Sequence, residues 1–555
     1  MCFRRSCGSA RRRAMRSTCT IASGSTAERP IAGRFRGGST RRGASSSPTA
    51  MRRRWRPRSI WSRRTAMGRF EHHMGGLDGT PKPPDARTRP GAAGARLDDA
   101  RSRSVAQRIA ADAAQVAAAI GDGPIVPTVT PEEIREHLGS RYDFTTPLEL
   151  DDVVDDVEHM LGTWQVHVTH PRYFGLFNPS VTPASVVGDT LTAMYNPQLA
   201  TWRTSPAANE IERHTLRWIG SQFGFPADAS ACFTTGGAEA NFSAVIVALT
   251  RALPAYGEHG LGALGASPTL YLSGEAHHSF AKIAHTTGLG RRALRKIATG
   301  ASLTMDLRDL ARQVAEDRRD GFVPLMVVGT AGTTGAGVID PLPELARFCR
   351  AERLWFHVDA AWGGAVILSP RLRSALTGID AADSITCDAH KWFSVPMGAG
   401  MFLCRHPGTV AAAFHAETSY MPRKTAGVVA DPYTTSVQWS RRFIGLKLFL
   451  SLAHHGRSGY VEMIERQARL GERLREGLRR TGWRIVNETP LPVVCFTRDG
   501  LDVTKFLATV MERQIAWMSE VRLAGEAPVV RACVTSFRTT EADVDRVVRD
   551  VESLV

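Results

Sequence analysis

SITCDAHKWFSVPMGAGMFLC, residues 384–404, sets a single lysine, Lys391, between a histidine and two aromatic residues. A short β-rich run, SITCD, leads into it, and a second, GMFLC, closes the stretch. An amine held among apolar groups loses hydration, which favours the neutral, nucleophilic form. The same arrangement occurs upstream with an acid: LWFHVD (354–359) ends on Asp359, 32 residues before Lys391, and runs into AAWGG. Further upstream, FTTGGAEANFSAVIVALTRAL (233–253) is a glycine turn opening a long helix. Gly236 and Gly237 permit close backbone approach, and a helix N-terminus offers free N–H groups and a positive dipole end to an anion. Taken singly, each stretch also has a plain reading: a surface lysine, a capping or metal-binding acid, a turn before a core helix.

Short β-rich runs such as PTLYLS (268–273) and VPLMVVGT (323–330) alternate with helical stretches such as LPELARFCRAE (342–352). That alternation predicts an α/β fold with a mostly parallel sheet. Ligands of open α/β sheets bind beyond the carboxyl ends of the strands. Asp359 and Lys391 are therefore expected to project into one crevice. An amine, an acid and a phosphate-binding helix end together meet the needs of pyridoxal phosphate: a lysine for its aldehyde, an acid for its ring nitrogen, amides for its phosphate. The phosphate turn is not a P-loop or a dinucleotide fingerprint, because neither G-K-[ST] nor G-x-G-x-x-G is present.

Around this core the pattern changes twice. Residues 99–183 read as a helical segment, with TPEEIREHL offering a Thr cap, Pro at the first helical position and early acids. Residues 184–440 form the expected large α/β domain. Residues 441–555 read as a smaller α+β domain, with long helices in RRFIGLKLFLSLAHH and YVEMIERQARLGERLREGLRR followed by strands in WRIVNE, PVVCFTR and PVVRACVTSF.

The net charge of +16 belongs to one end of the chain. Residues 1–74 carry 19 Arg against Glu28 and Glu71, whereas the other 481 residues carry 51 basic and 52 acidic side chains. Residues 1–98 are Arg-, Ser- and Gly-rich without apolar periodicity, a composition that cannot bury a core. They are expected to be disordered, and most simply an extension from a start placed too far upstream, with Met67 or Met74 as the true start. A nucleic-acid-binding tail is the different-class alternative, and confinement of the charge to one end weakens it for the rest of the chain. Nine cysteines without C-x-x-C spacing suggest neither a disulfide framework nor a zinc site, so no metal is expected and a reducing cytoplasm fits. No apolar run reaches the roughly 18 residues of a membrane span.

HVDAAWGG and DAHKW, preceded by GTAGTTGAGVIDPL (329–342), resemble the pyridoxal-phosphate-dependent group II amino-acid decarboxylases, the family of the glutamate, aromatic-amino-acid and diaminobutyrate enzymes. The resemblance runs from about Val126 to the C-terminus. It implies the fold-type-I architecture of pyridoxal-phosphate transferases, a homodimer, and the release of an L-amino acid's carboxyl group as CO2 to leave an amine. It also implies roles. Lys391 matches the lysine that carries the cofactor, Asp359 the partner of the pyridine nitrogen, and His277 (rather than His278) the histidine stacked on the ring. Thr334 matches a threonine near the cofactor, and Asp388 and His390 flank the lysine. Gly236, Gly237 and Ala238 match the phosphate loop, where many members have Ser or Thr in place of Ala238; Thr235 or a partner subunit is the expected substitute. Tyr433, with Tyr420 as the alternative, matches the proton-donating tyrosine of a mobile loop (414–443), and Arg531 an arginine near the substrate carboxylate. Either tyrosine also reads as a packing residue, and Arg531 as half of a structural salt bridge. Ala200 matches a position where aromatic-specific members carry a bulky ring, which disfavours a tight aromatic shelf. Aminotransferases and aldehyde lyases use the same cofactor and stand as alternatives. Which amino acid is the substrate does not follow from these motifs.

Overall fold

The computed structural model describes residues 100–554, apart from 417, 422–426, 428 and 429. The basic segment expected to be disordered, with Met67 and Met74, lies outside the described residues. Among the described residues, β1 (Ser230–Thr234), β2 (Pro268–Ser273), β3 (Leu294–Ile297), β4 (Val323–Thr330), β5 (Trp355–Asp359), β6 (Ser384–Asp388) and β7 (Gly400–Cys404) form one sheet. Its order is β1-β7-β6-β5-β4-β2-β3. Five strands, from β3 to β6, run parallel, and only β7 opposes its neighbours. This is the mostly parallel α/β sheet that the sequence pattern predicts. The two edges, β1 and β3, are the strands that the sequence pattern did not mark.

β5 and β6 are buried along their whole length. β4 and β5 divide their side chains between two cores, as period-2 alternation requires. Met326, Val328 and Trp355 pack with Ala240, Ala244 and Val247 of the helix Gly237–Ala252. Val327, Phe356 and Val358 face the other way, onto Leu342 and Leu345 of the helix Leu342–Glu352. Each fully buried side chain of this size contributes roughly 1.5–3 kcal/mol. The face under Gly237–Ala252 is also the one from which His357 and Asp359 project.

The expected helices at 100–119 and 131–141 are present, the second with a full capping box in which Thr130 and Glu133 exchange bonds. The two helices expected after residue 440 join as Gly445–Arg480 with a break at Gly456, whose φ of +62° suits glycine. β8 (Arg484–Ile485), β9 (Val493–Thr497), β10 (Ser519–Val521) and β11 (Val529–Cys533) make an antiparallel second sheet, ordered β10-β11-β9-β8. No helix among the described residues is long and apolar enough to cross a membrane.

Candidate active site

The carboxyl ends of β4, β5 and β6 are stitched together by backbone bonds beyond the ladder. Ala331 N–H donates to Asp359 O at 2.8 Å, Ala360 N–H to Thr386 O at 2.9 Å, and Asp388 N–H to Ala361 O at 2.8 Å. Asp388 ends β6, and the turn after it carries Lys391, whose Nζ lies 3.1 Å from Asp388 Oδ2. Ser394, a buried non-glycine residue at φ +56°, closes that turn. The neighbouring Trp392 is fully buried and bonds Gln467. Lys391 is thus the end of a fixed turn rather than part of a surface loop.

Asp359 is 5% exposed, and both of its oxygens are engaged. Asn241 Nδ2 donates to Oδ2 at 2.8 Å, and Ala361 N–H donates to Oδ1 at 3.1 Å. Asn241 in turn contacts His357 Nε2 through its own Oδ1 at 2.9 Å. On the other side of the ring, His357 Nδ1 meets Ser384 Oγ at 2.8 Å, and Trp355 Nε1 donates to the same oxygen at 2.9 Å. Burial pushes the pKa of His357 down to about 4, so its ring is neutral. Asn241, His357, Ser384 and Trp355 were not singled out from the sequence.

His390 accepts a hydrogen bond from Ala399 N–H at Nδ1, 3.1 Å, leaving Nε2 toward Asp388 Oδ2 at 3.7 Å. Burial lowers its pKa, against the pull of Asp388. His277 follows β2 and accepts from Ser279 N–H at Nδ1, 3.2 Å. It is exposed at the mouth of the site, yet the protein crowded around it lowers its pKa; Asp359 opposes the shift and Lys391 reinforces it. His277, Asp359 and Lys391 are therefore within electrostatic reach of one another. His278 stands at the start of the helix Ser279–Thr286 without a side-chain capping bond.

The turn Gly236–Gly237 closes over the DAHK segment. A Cβ on Gly237 would meet Asp388 Oδ2 at 2.8 Å, and one on Gly236 would meet His390 Cε1 at 3.3 Å, so the approach requires glycine at 237. The amides of Gly237 and Ala238 precede the helix's first bonds, which Glu239 and Ala240 donate to Gly236 O. Thr235, the expected stand-in for a hydroxyl at Ala238, has its N–H and Oγ1 committed to Glu239 Oε2 at 2.8 and 2.7 Å. Glu239 also accepts from Gln438 at 2.7 Å, tying the phosphate turn to the segment that carries Tyr433.

Arg531, central in β11, is 3% exposed. Instead of the salt bridge that was one reading, it bonds carbonyls: Nε to Thr334 O and Nη1 to Gly175 O, both at 2.8 Å. Its Nη2 is buried without a partner among the described residues. The guanidinium lies 4.7 Å over Phe177, which stacks on Trp362 at 4.2 Å, which in turn packs against Trp392 at 5.6 Å. A ladder of rings thus links Arg531 to the lysine turn. Thr334 takes part through its carbonyl. Tyr433 and Tyr420 both pack on Trp439, at 5.1 and 6.1 Å, and Tyr433 N–H donates to the carbonyl of buried Ala200 at 3.1 Å. Among the described residues, no hydrogen bond joins either tyrosine to Lys391. A cavity of about 580 Å³ lies beside the helix Pro206–Gln222 and residues 430–435, and Lys391 is not among the residues that line it.

The residues present fit pyridoxal phosphate. The amine, the doubly bonded carboxylate and the imidazole supply the three chemistries it needs. The Gly236–Gly237 turn opens a helix whose first amides precede its internal bonds, and Asp388 Oδ1 and Thr330 Oγ1 are buried at the strand ends without hydrogen-bond partners among the described residues. No group of three His, Cys, Asp or Glu suited to a metal occurs among the described residues.

Comparison with known proteins agrees. A sequence model of the pyridoxal-dependent decarboxylase conserved domain matches residues 131–498. An aromatic-L-amino-acid decarboxylase of Bacillus atrophaeus is 29% identical over 401 residues, covering 70% of this chain and 82% of that one. A 4-hydroxyphenylacetaldehyde synthase of Rhodiola rosea is 27% identical, covering 77% of this chain and 90% of its own. Among solved structures, mouse CSAD superposes with a TM-score of 0.77 at 25% identity, over 82% of this chain and 99% of that one. The chain belongs to the pyridoxal-dependent decarboxylase family. It is a lyase that uses pyridoxal phosphate to remove the carboxyl group of an amino acid as CO2.

Proposed function

We propose that Lys391 bonds the cofactor's aldehyde, Asp359 faces its ring nitrogen, His277 covers one face of the ring, and the amides of Gly236, Gly237 and Ala238 hold its phosphate. When bound, pyridoxal phosphate supplies an electron sink for the pair left at Cα as CO2 departs. The chain's residues do the rest. Asp359, fixed as a hydrogen-bond acceptor by Asn241 and Ala361, keeps a proton on the ring nitrogen. Asp388, 3.1 Å from Nζ, would hold Lys391 toward the crevice, with His390 beside Asp388 and Thr334 near the cofactor. Arg531 offers its unpartnered Nη2 to a substrate carboxylate. Tyr433 returns a proton to Cα, with Tyr420 its competitor on the same Trp439, and closure of the loop keeps water away until it does.

The juxtaposition of Lys391 and Asp359 at adjoining parallel strand ends, under the Gly236–Gly237 turn, carries this reading. A panel of glutamate, aspartate, diaminobutyrate, tyrosine, tryptophan and DOPA, offered to the purified protein with cofactor, tests it through CO2 and amine release. One L-amino acid should yield both in equal amounts, and Lys391→Ala should yield neither. Keto acid or aldehyde without amine would favour the aminotransferase or aldehyde-lyase chemistry instead.

We further propose a homodimer. Val187, Met194 and Tyr195 on the helix Pro183–Tyr195, and Met397 beside the lysine turn, are 53–79% exposed, apolar side chains that a second copy would cover. The six described cysteines are all buried and free, which suits a cytoplasmic setting.

A further inference from the structure

Trp355, His357 and Asp359 alternate along β5 and so share one face, a polar stripe inside a strand that is buried from end to end. Ser384 is the register partner of His357 on β6, and Asn241 reaches down from the first turns of the helix covering that face. Each of the five is no more than 6% exposed. Their hydrogen bonds have one consistent direction, because both ends are groups with a single role. The indole of Trp355 only donates, and the carboxylate of Asp359 only accepts. Asp359 Oδ2 at 2.8 Å requires the NH2 of Asn241 on its side, since the flipped amide would set two acceptor oxygens against each other. Asn241 Oδ1 then faces His357 Nε2 at 2.9 Å and needs a proton there. The neutral ring leaves Nδ1 bare, so it accepts the Ser384 hydroxyl at 2.8 Å, and Ser384 Oγ accepts the Trp355 N–H at 2.9 Å.

We propose that this chain, Trp355–Ser384–His357–Asn241–Asp359, is a positioning relay that fixes the orientation and acceptor character of the acid opposite the cofactor's ring nitrogen. The inference rests on the cofactor reading above and adds residues that touch neither substrate nor cofactor. A proton on His357 Nε2 reinforces the amide orientation that turns the Asn241 NH2 toward Asp359. A protonated His357 would still donate to Asn241 but would lose the Ser384 bond. An apolar residue at 357 would leave Asn241 free to flip and Asp359 Oδ2 without its donor.

The test compares holoenzymes of wild type, Asn241→Leu, His357→Leu, His357→Gln and Ser384→Ala by cofactor dissociation constant and by pH titration of the visible cofactor band. Loss of a hydrogen bond to a charged group is worth about a factor of ten or more, so Asn241→Leu should weaken cofactor binding at least about tenfold and displace the titration. His357→Leu should follow it with a smaller loss. His357→Gln, whose amide reaches the Nε2 position, should recover most of the wild-type behaviour. Ser384→Ala, the mildest change and the one least able to prevent folding, should shift the titration least but measurably. A purely structural role would lower the melting temperature of all four variants and leave binding and titration as in wild type; that result overturns the relay while the decarboxylase reading stands. Equal losses in His357→Gln and His357→Leu would also overturn it. A wild-type protein without a cofactor band would remove the cofactor reading and the relay together.

Discussion

The ends of β5 and β6 carry the same residue in opposite states. Asp359 and Asp388 close neighbouring parallel strands and are both nearly inaccessible. Asp359 has a donor on each oxygen, and the donor on Oδ2 is itself held by three further residues. Asp388 has the Lys391 amine near Oδ2 and nothing on Oδ1. A carboxylate whose bonds are complete within the protein is set before any ligand arrives. One with an open oxygen keeps bonding capacity for what enters the site. In the proposed function, the difference separates an acid that would tune the cofactor from an acid that would adjust to it.

The largest expected effect breaks the finished end. Asp359→Asn should lower kcat/KM by roughly a hundredfold or more, as loss of a charge acting on the reacting system does, and should weaken cofactor binding. Tyr433→Phe should lower amine formation by roughly a hundredfold or more, the usual scale for a lost general acid, with aldehyde as the diverted product. An unchanged amine yield transfers the role to Tyr420. Arg531→Met comes next. With its bonds to two carbonyls and its free Nη2 removed, kcat/KM should fall roughly ten- to a hundredfold, mainly through KM. Asp388→Asn should cost less than about tenfold in kcat/KM, because an amide still presents an oxygen to Lys391 and relieves an unpaired buried carboxylate oxygen; its apo form should melt no lower than wild type. A loss as large as that of Asp359→Asn would erase the contrast between the two ends.

The smallest effect concerns stability. Burial depresses His357 from 6.5 to about 4, so between those values the unfolded chain binds a proton that the folded chain refuses. The stability from this residue is fully present above pH 6.5 and drains away as the pH falls toward 4, by up to roughly 3 kcal/mol. Asp340, raised to about 6 by burial, acts in the opposite sense, so the net slope is smaller. His357→Gln isolates the histidine: its unfolding free energy should fall less between pH 7 and pH 5 than that of wild type, measured by denaturant titration.

The same contrast explains what the sequence made legible. DAHKW and HVDAAWGG stand out because each puts a chemical group just past an unmistakable β-rich run, and strand ends are where such sheets bind ligands. The parallel core was legible for the same reason, since β4 reads as a nearly continuous apolar run and β5 and β6 as short β-rich runs. The edge strands β1 and β3, short and only partly buried, carry no such signal. The bonds that finish Asp359 come from residues distant in sequence, and Asn241 looked like an ordinary position in an Ala-rich helix. One clue was available: the alternation of Trp355, His357 and Asp359 places three polar-tipped groups on one face of a buried strand. Arg531 was readable as a candidate but its partners were not, because backbone carbonyls leave no trace in side-chain identity.

Borohydride trapping of the cofactor on the purified protein, followed by peptide mass spectrometry, tests the central assignment most directly. One reduced pyridoxyl adduct is expected, on the peptide containing Cys387–Phe393 and at Lys391. An adduct confined to any other lysine, or none at all at saturating cofactor, contradicts it.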